Sequence, residues 1–161
     1  MGLEIRGINA TKIRLDNIVN RTNRSVYALM EQAAKEMKRR VELQTHLQTG
    51  ALERSIRIRR LSRAGINGRT SYEVYVDPNA RRNVRTRTGI KRQRVQTYAK
   101  RLETGEFSGL GKRSQEKNSS VRSMGASLSV GPGFFSRSAA FVKAIYRRKI
   151  ELAAREAARR G

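Results

Sequence analysis

The pattern of apolar and polar residues from position 18 onward predicts a long amphipathic helix. Apolar residues recur at steps of three and four, which places them on one face of a helix that ends near Gln44. These positions are Ile18, Val19, Val26, Leu29, Met30, Ala33, Met37 and Val41. The opposite face is charged, and Glu31 and Lys35 have the spacing of an ion pair along a helix surface. Thr49 and Gly50 then end the helical pattern, because glycine readily adopts the left-handed conformation that closes helices.

The next segments have a period of two, which is the pattern of half-buried β-strands. Residues 55–61 alternate isoleucine with arginine, and residues 72–77 place Tyr72, Val74 and Val76 on one side. The segment between them contains glycine and asparagine. We therefore predict an antiparallel hairpin with a long loop.

The C-terminal half alternates short apolar segments with long polar ones. Residues 79–96 have no clear period, and residues 106–126 are rich in glycine and serine, so we predict flexible insertions at both places. A short strand is predicted over residues 127–130. A second long helix follows, with Ser136 as its predicted N-cap. One face of this helix is predicted to carry Phe141, Val142, Ile145, Lys149 and Leu152.

Together these elements predict an α+β fold in one domain spanning residues 1–161. Its expected architecture is two long amphipathic helices packed on a small antiparallel β-sheet, with long basic and Gly/Ser-rich loops. Such a chain has room for a modest core.

Charge changes this picture more than any other property. The chain has 36 Lys and Arg residues against 13 Asp and Glu residues, which gives a net charge of +23. Charge of this size opposes a compact isolated monomer, so we expect neutralisation by an acidic partner or by nucleic acid. Charged residues interrupt the first 20 positions, and no segment approaches the roughly 20 apolar residues that cross a bilayer. We expect no signal peptide and no contact with a membrane.

The residue types argue against catalysis and against a metal site. The chain has no cysteine, and its one histidine, His46, is predicted to lie at the surface or at a helix end. The acidic residues near the predicted strands match no catalytic motif and are predicted to pair with arginines. They are Glu53, Glu73, Asp77 and Glu103. We therefore predict no enzymatic activity, no catalytic residue, no cofactor and no metal.

The strongest local charge imbalance lies in residues 79–96, which contain many cations and no acidic residue. The cations are Arg81, Arg82, Arg85, Arg87, Lys91, Arg92 and Arg94. Arginine forks match phosphate oxygens, so these residues are the predicted contact with a DNA channel or a protein partner. No aromatic residue lies between Val76 and Gln96 to stack on a base, so any DNA contact is expected to be with the backbone.

Three segments, taken in order, resemble a known family. Residues 48–56 read QTGALERSI, residues 98–105 read YAKRLETG, and residues 131–139 read GPGFFSRSA before the final helix. In order and spacing they resemble the neck and tail-completion proteins (head–tail connectors, minor tail components) of tailed bacteriophages. The chain departs from that family in lacking a proline just before Thr49 and in having two longer, more basic insertions.

This resemblance implies a structural virion protein without catalytic activity, assembled in the host bacterial cytoplasm. Such a protein forms a homo-oligomeric ring at the head–tail junction or the head-proximal end of the tail, joining tail to head around the DNA channel. Its partners would be other neck, connector and tail proteins, and the expected ring is a hexamer, with a dodecamer as the alternative. The resemblance assigns a role in the fold, and none in catalysis, to Thr49, Gly50, Leu52, Ser55, Ile56, Tyr98, Glu103, Gly105, Pro132, Phe134 and Phe135.

The partner of the basic segment 79–96 stays open at this point. It either faces DNA or pairs with acidic surfaces of neighbouring neck proteins, and we favour the second because a strongly attractive channel would slow DNA exit. The alternative function is that of a sequence-independent nucleic-acid-binding protein, which the net charge supports. A nuclease is a third hypothesis that rests only on scattered carboxylates.

Overall fold

A computed structural model describes residues 4–6, 10–14, 24–46, 50–62, 70–106, 111–125 and 128–159. Over these ranges the chain forms helices and antiparallel strands, so the predicted α+β class is confirmed. The strands are β1 (Glu4–Arg6), β2 (Ala10–Arg14), β3 (Ile56–Ser62), β4 (Thr70–Val76), β5 (Arg81–Thr86) and β6 (Gly89–Arg94). The helices are α1 (Arg24–Gln44), α2 (Ala51–Ser55), α3 (Val95–Glu103), α4 (Lys112–Met124) and α5 (Phe134–Arg159).

The larger sheet has the strand order β1-β2-β4-β3, and every neighbouring pair is antiparallel. Strands β3 and β4 form the predicted hairpin pairing, with Ile56 opposite Val76. Tyr72, Val74 and Val76 are buried on one face of β4, as their period of two predicts. Strands β1 and β2 extend this sheet beyond what the sequence pattern predicted.

Helix α1 is the centre of the core. It packs against β3 and β4 and also against α5, and Met30, Met37 and Val41 are fully buried. Near its C-terminal end, the Gln44 side-chain amide donates a hydrogen bond of 3.2 Å to the Ser138 hydroxyl of α5. This buried polar contact joins the two long helices within their apolar interface.

The buried stripe of α5 differs from the predicted face. Its members follow steps of four, three, four and four residues, and they are Phe135, Ala139, Val142, Tyr146 and Ile150. By contrast, Ile145 is 38% exposed and Leu152 is 50% exposed. Phe141 and Val142 of the predicted face do pack on the core. Its later members are exposed, because apolar residues occur on two sides of this helix and periodicity alone did not separate them.

Both segments predicted as flexible insertions contain regular structure. Residues 81–94 form the β5–β6 hairpin, and residues 112–124 form α4. Periodicity missed them because neither element has an apolar face: β5 and β6 are mostly exposed, and in α4 only Ser114 and Val121 are buried. The strand predicted at 127–130 does not form over the described residues 128–130.

Candidate interaction surface

The first segment of the phage-neck resemblance turns the chain from α1 into the sheet. Gly50 precedes α2 with a φ of +68°, a left-handed conformation that a side chain would strain. Leu52 and Ser55 are buried, and the Ser55 hydroxyl donates a 2.6 Å hydrogen bond to the Leu52 carbonyl. Ile56, fully buried, then begins β3. Thr49 lies outside the described residues.

The second and third segments meet at the start of α5. Tyr98 is buried on α3, which also packs against α2. Gly105 has a φ of +79°, and a Cβ built there would lie 3.6 Å from the Pro132 ring. Phe134 and Phe135, the first residues of α5, are buried in the core with ring centres 5.2 Å apart. All three segments that carry the resemblance therefore belong to one packed unit.

Glu103 joins these segments through its carboxylate. Its oxygens accept hydrogen bonds of 3.0 Å from the backbone N–H groups of Phe135 and Ser136, and one of 2.6 Å from the Ser136 hydroxyl. The N-terminus of α5 is thus capped by a side chain more than 30 positions earlier in sequence. The prediction that Ser136 is the N-cap is wrong, because the helix begins at Phe134 and the cap comes from α3.

The β5–β6 hairpin is built by turn chemistry at its base and its tip. Asp77 opens the base, where its carboxylate accepts the Asn79 N–H at 2.8 Å and its carbonyl accepts the Ala80 N–H. At the tip, the Thr86 hydroxyl donates a 2.8 Å bond to the Gly89 carbonyl, closing a two-residue loop. These local bonds hold a hairpin that has no hydrophobic core of its own.

The predicted basic residues are divided between two faces of this hairpin. Residues directly opposite in an antiparallel pair lie on the same face, and the register pairs Arg81 with Arg94, Asn83 with Arg92, and Arg85 with Ile90. We call the face formed by these pairs the outer face. It carries Arg81, Asn83, Arg85, Ile90, Arg92 and Arg94, and every one of them is exposed. Lys91 points to the other face, and Arg87 lies at the tip.

Arg82 has a different environment from the other cations. It lies on the inner face, half-buried, where its guanidinium stacks 3.5 Å from the centre of the Tyr98 ring and donates to the Gln93 side chain. Burial lowers the pKa of Arg82, and burial raises the pKa of Tyr98. Arg82 therefore attaches the hairpin to α3.

Most acidic residues near the strands do not pair with arginine as predicted. Glu73 does, with Arg59 on β3, whereas Glu53 binds Lys117 at 3.1 Å. Asp77 supports the turn and Glu103 caps α5. A carboxylate is satisfied equally well by backbone N–H groups, which sequence spacing does not reveal.

His46 lies at the end of α1, as predicted, but it is buried and not at the surface. It is 7% exposed just after α1, and its Nε2 atom has no hydrogen-bond partner among the described residues. Burial, and then the nearby charge of Lys117, lower its pKa. No serine or carboxylate hydrogen bond orients it for catalysis within the described part of the chain.

A cavity of about 430 Å³ opens beside the base of the hairpin. Its lining includes Arg57, Arg59, Glu73 and Asp77, but the two carboxylates already have the structural partners given above. Among the described residues, no three His, Cys, Asp or Glu side chains come together in a way that could hold a metal ion. Within the same ranges, no helix is long and apolar enough to cross a membrane.

Comparison of the chain with protein-family models, with curated proteins and with solved structures finds no match.

Proposed function

We propose that this protein is a structural component of a tailed-phage virion that forms a ring at the head–tail junction or the head-proximal end of the tail. The observation that carries the proposal is the convergence of the three resembling segments: α2 packs on α3, and Glu103 at the end of α3 caps α5. Segments that are far apart in sequence thus act together as the frame of the fold. In this proposal the protein has no catalytic role.

The surface of the chain supports assembly with other protomers. Ile145 and Leu152 are seven residues apart on α5 and are exposed on the same side of the helix. In a ring, each protomer repeats one head-to-tail interface until rotation closes it. We propose that this exposed stripe belongs to that interface, with six copies as the expected ring and twelve as the alternative.

The competing function is sequence-independent nucleic-acid binding by unassembled chains, which the net charge of +23 favours. The two functions differ in where the protein is found. A ring component is a fixed part of each particle, located between head and tail, whereas a soluble nucleic-acid-binding protein is left in the host cell.

Deletion of the encoding gene from the phage genome tests the proposal. We expect lysates that contain filled heads and complete tails without joined particles, and joining restored when the purified protein is added. Electron microscopy of the lysates gives the measurement. Normal particles that form without the protein would contradict the proposal.

A further inference from the structure

The outer face of the β5–β6 hairpin concentrates four arginines on a ribbon two strands wide. Arg81 lies directly opposite Arg94, an arrangement of like charges that destabilises a strand pair. Within the described ranges, no carboxylate lies within ion-pair distance of Arg81, Arg85, Arg92 or Arg94. Arg81 donates hydrogen bonds to the Pro78 and Ala80 carbonyls, which leave its charge in place, so an external anion would be favoured on this face.

A second copy of this chain is a poor source of that anion. Glu31, Glu42, Glu53, Glu73, Glu106 and Glu151 each form an ion pair with Lys or Arg in the same chain. Glu103 is occupied by the N-terminus of α5. Glu36 pairs with Arg40, and Asp77 supports the turn at the base of the hairpin. The further exposed carboxylates of the described residues, Glu116 on α4 and Glu156 on α5, lie on separate helices and are too few to receive four arginines.

The dimensions of the outer face suit the phosphates of a duplex. Side chains on one face repeat about every 7 Å along each strand, and the strands are about 5 Å apart. Arginine forks match phosphate oxygens, so exposed arginines at this spacing can contact several phosphates along a duplex without reading its bases. The face has no aromatic side chain on which unpaired bases could stack, which disfavours single strands.

We propose that the outer face of the hairpin binds the phosphate backbone of duplex DNA without sequence preference. Arg81, Arg85, Arg92 and Arg94 contact phosphates, and Arg82 holds the hairpin on α3 from the other face. This inference rests on the proposed function, because the ring around the DNA channel is where the outer face would contact DNA. It differs from the acidic surface of a neighbouring neck protein that the sequence alone favoured for this segment, and the polyglutamate probe described below compares the two.

The test measures binding of the full chain to a mixed-sequence duplex of about 30 base pairs over a range of salt concentrations. One variant combines R81Q, R85Q, R92Q and R94Q. The matched control combines K143Q, R148Q, R155Q and R159Q, which removes the same charge from exposed positions of α5. A smaller variant, R85Q with R92Q, tests half of the outer face and limits any effect on folding.

We expect the wild type and the α5 control to bind the duplex with similar salt dependence. The logarithm of the binding constant decreases linearly with the logarithm of the salt concentration, and the steepness of this line is about 0.9 for each phosphate that the protein neutralises. The steepness should therefore decrease by about 3 to 4 in the outer-face variant and by about half as much in the double variant. At about 0.1 M salt, this change corresponds to an affinity at least about 100-fold lower. An equal decrease of the slope in the α5 control would overturn the proposal, because it would show an effect of net charge alone.

Two further probes distinguish the class of partner. Oligo-dT of equal length is expected to bind more weakly than the duplex, and polyglutamate more weakly still. Tighter binding of either probe than of the duplex, with the same dependence on the outer-face arginines, would overturn the assignment.

The mass of the assembled protein, measured on the same variants, distinguishes failure of DNA binding from failure of ring formation. A ring that does not bind DNA would overturn only the inference about the outer face. A monomer that binds DNA would overturn only the proposed ring.

Discussion

At the scale of single residues, Glu103 shows how one carboxylate positions a whole helix. Its oxygens occupy the N-terminus of α5, where unpaired N–H groups and the helix dipole both favour a negative charge. From the sequence, Glu103 matched no catalytic motif, and an arginine partner was predicted for it. Only the folded chain brings the start of α5 close enough to provide a different one.

We predict that Glu103→Ala lowers the free energy of unfolding by about 1 to 2 kcal/mol, the usual cost of losing a helix cap. Urea unfolding followed by circular dichroism gives the measurement. Glu116→Ala is the control, because Glu116 is an exposed carboxylate on α4, and its effect should stay within about 0.5 kcal/mol. Equal decreases in the two variants would show that Glu103 does not act as a cap.

His46 gives a prediction about pH. Its pKa in the folded chain lies below the ordinary value of 6.5, so the unfolded chain binds a proton first as pH decreases. The free energy of unfolding should therefore decrease from about pH 6.5 through the lowered pKa, with no contribution from His46 above that range.

Urea unfolding at about pH 7.5 and about pH 5 measures this effect in the wild type and in His46→Gln. The decrease should be larger in the wild type, because glutamine does not titrate. If the variant shows the same decrease, the dependence on pH comes from other groups.

At the scale of elements, α4 is held by polar contacts rather than by a hydrophobic stripe. Lys117, 11% exposed at its side chain, donates hydrogen bonds to the Glu42 carbonyl at 2.5 Å and to the Glu53 carboxylate at 3.1 Å. Asn118 accepts the Val130 N–H at 2.8 Å. One lysine thus connects α4 to the end of α1 and to α2.

We predict that Lys117→Met releases α4 while leaving the core intact. Hydrogen bonds to charged groups contribute about 1.5 to 3 kcal/mol, so the amides of residues 112–124 should exchange at least about tenfold faster. Exchange in α1 and α5 should change little. Lys112→Met, at the exposed start of the same helix, is the control. Unchanged exchange in α4 would show that Lys117 does not hold it.

The same elements show what the sequence could predict. The end of helix α1 and the bounds of strands β3 and β4 were predicted closely, because each element buries one face and therefore has a regular apolar period. Ile18 and Val19, where the helical pattern was predicted to begin, lie outside the described residues. The β5–β6 hairpin and α4 lack such a face, so their structure follows from turn chemistry and from contacts distant in sequence. The basic residues were found from composition, but their division into two faces required the strand register.

At the scale of the whole molecule, the proposed ring depends on a surface that the isolated chain leaves exposed. We predict that I145S combined with L152S weakens ring assembly, because both substitutions remove apolar area that a neighbouring protomer would cover. Met124→Ser on α4, which is also exposed, is the control. Sedimentation velocity over a range of protein concentrations gives the measurement. Unchanged assembly in the double variant would place the interface elsewhere.

The mass of the concentrated purified protein, measured by native mass spectrometry together with projection images, tests the central claim most directly. A single chain is 18.3 kDa, so a six-membered ring should appear at about 110 kDa, with a central opening in the images. Twice that mass would indicate the twelve-membered alternative. A mass of one chain at every concentration, with the protein absent from phage particles, would contradict the account.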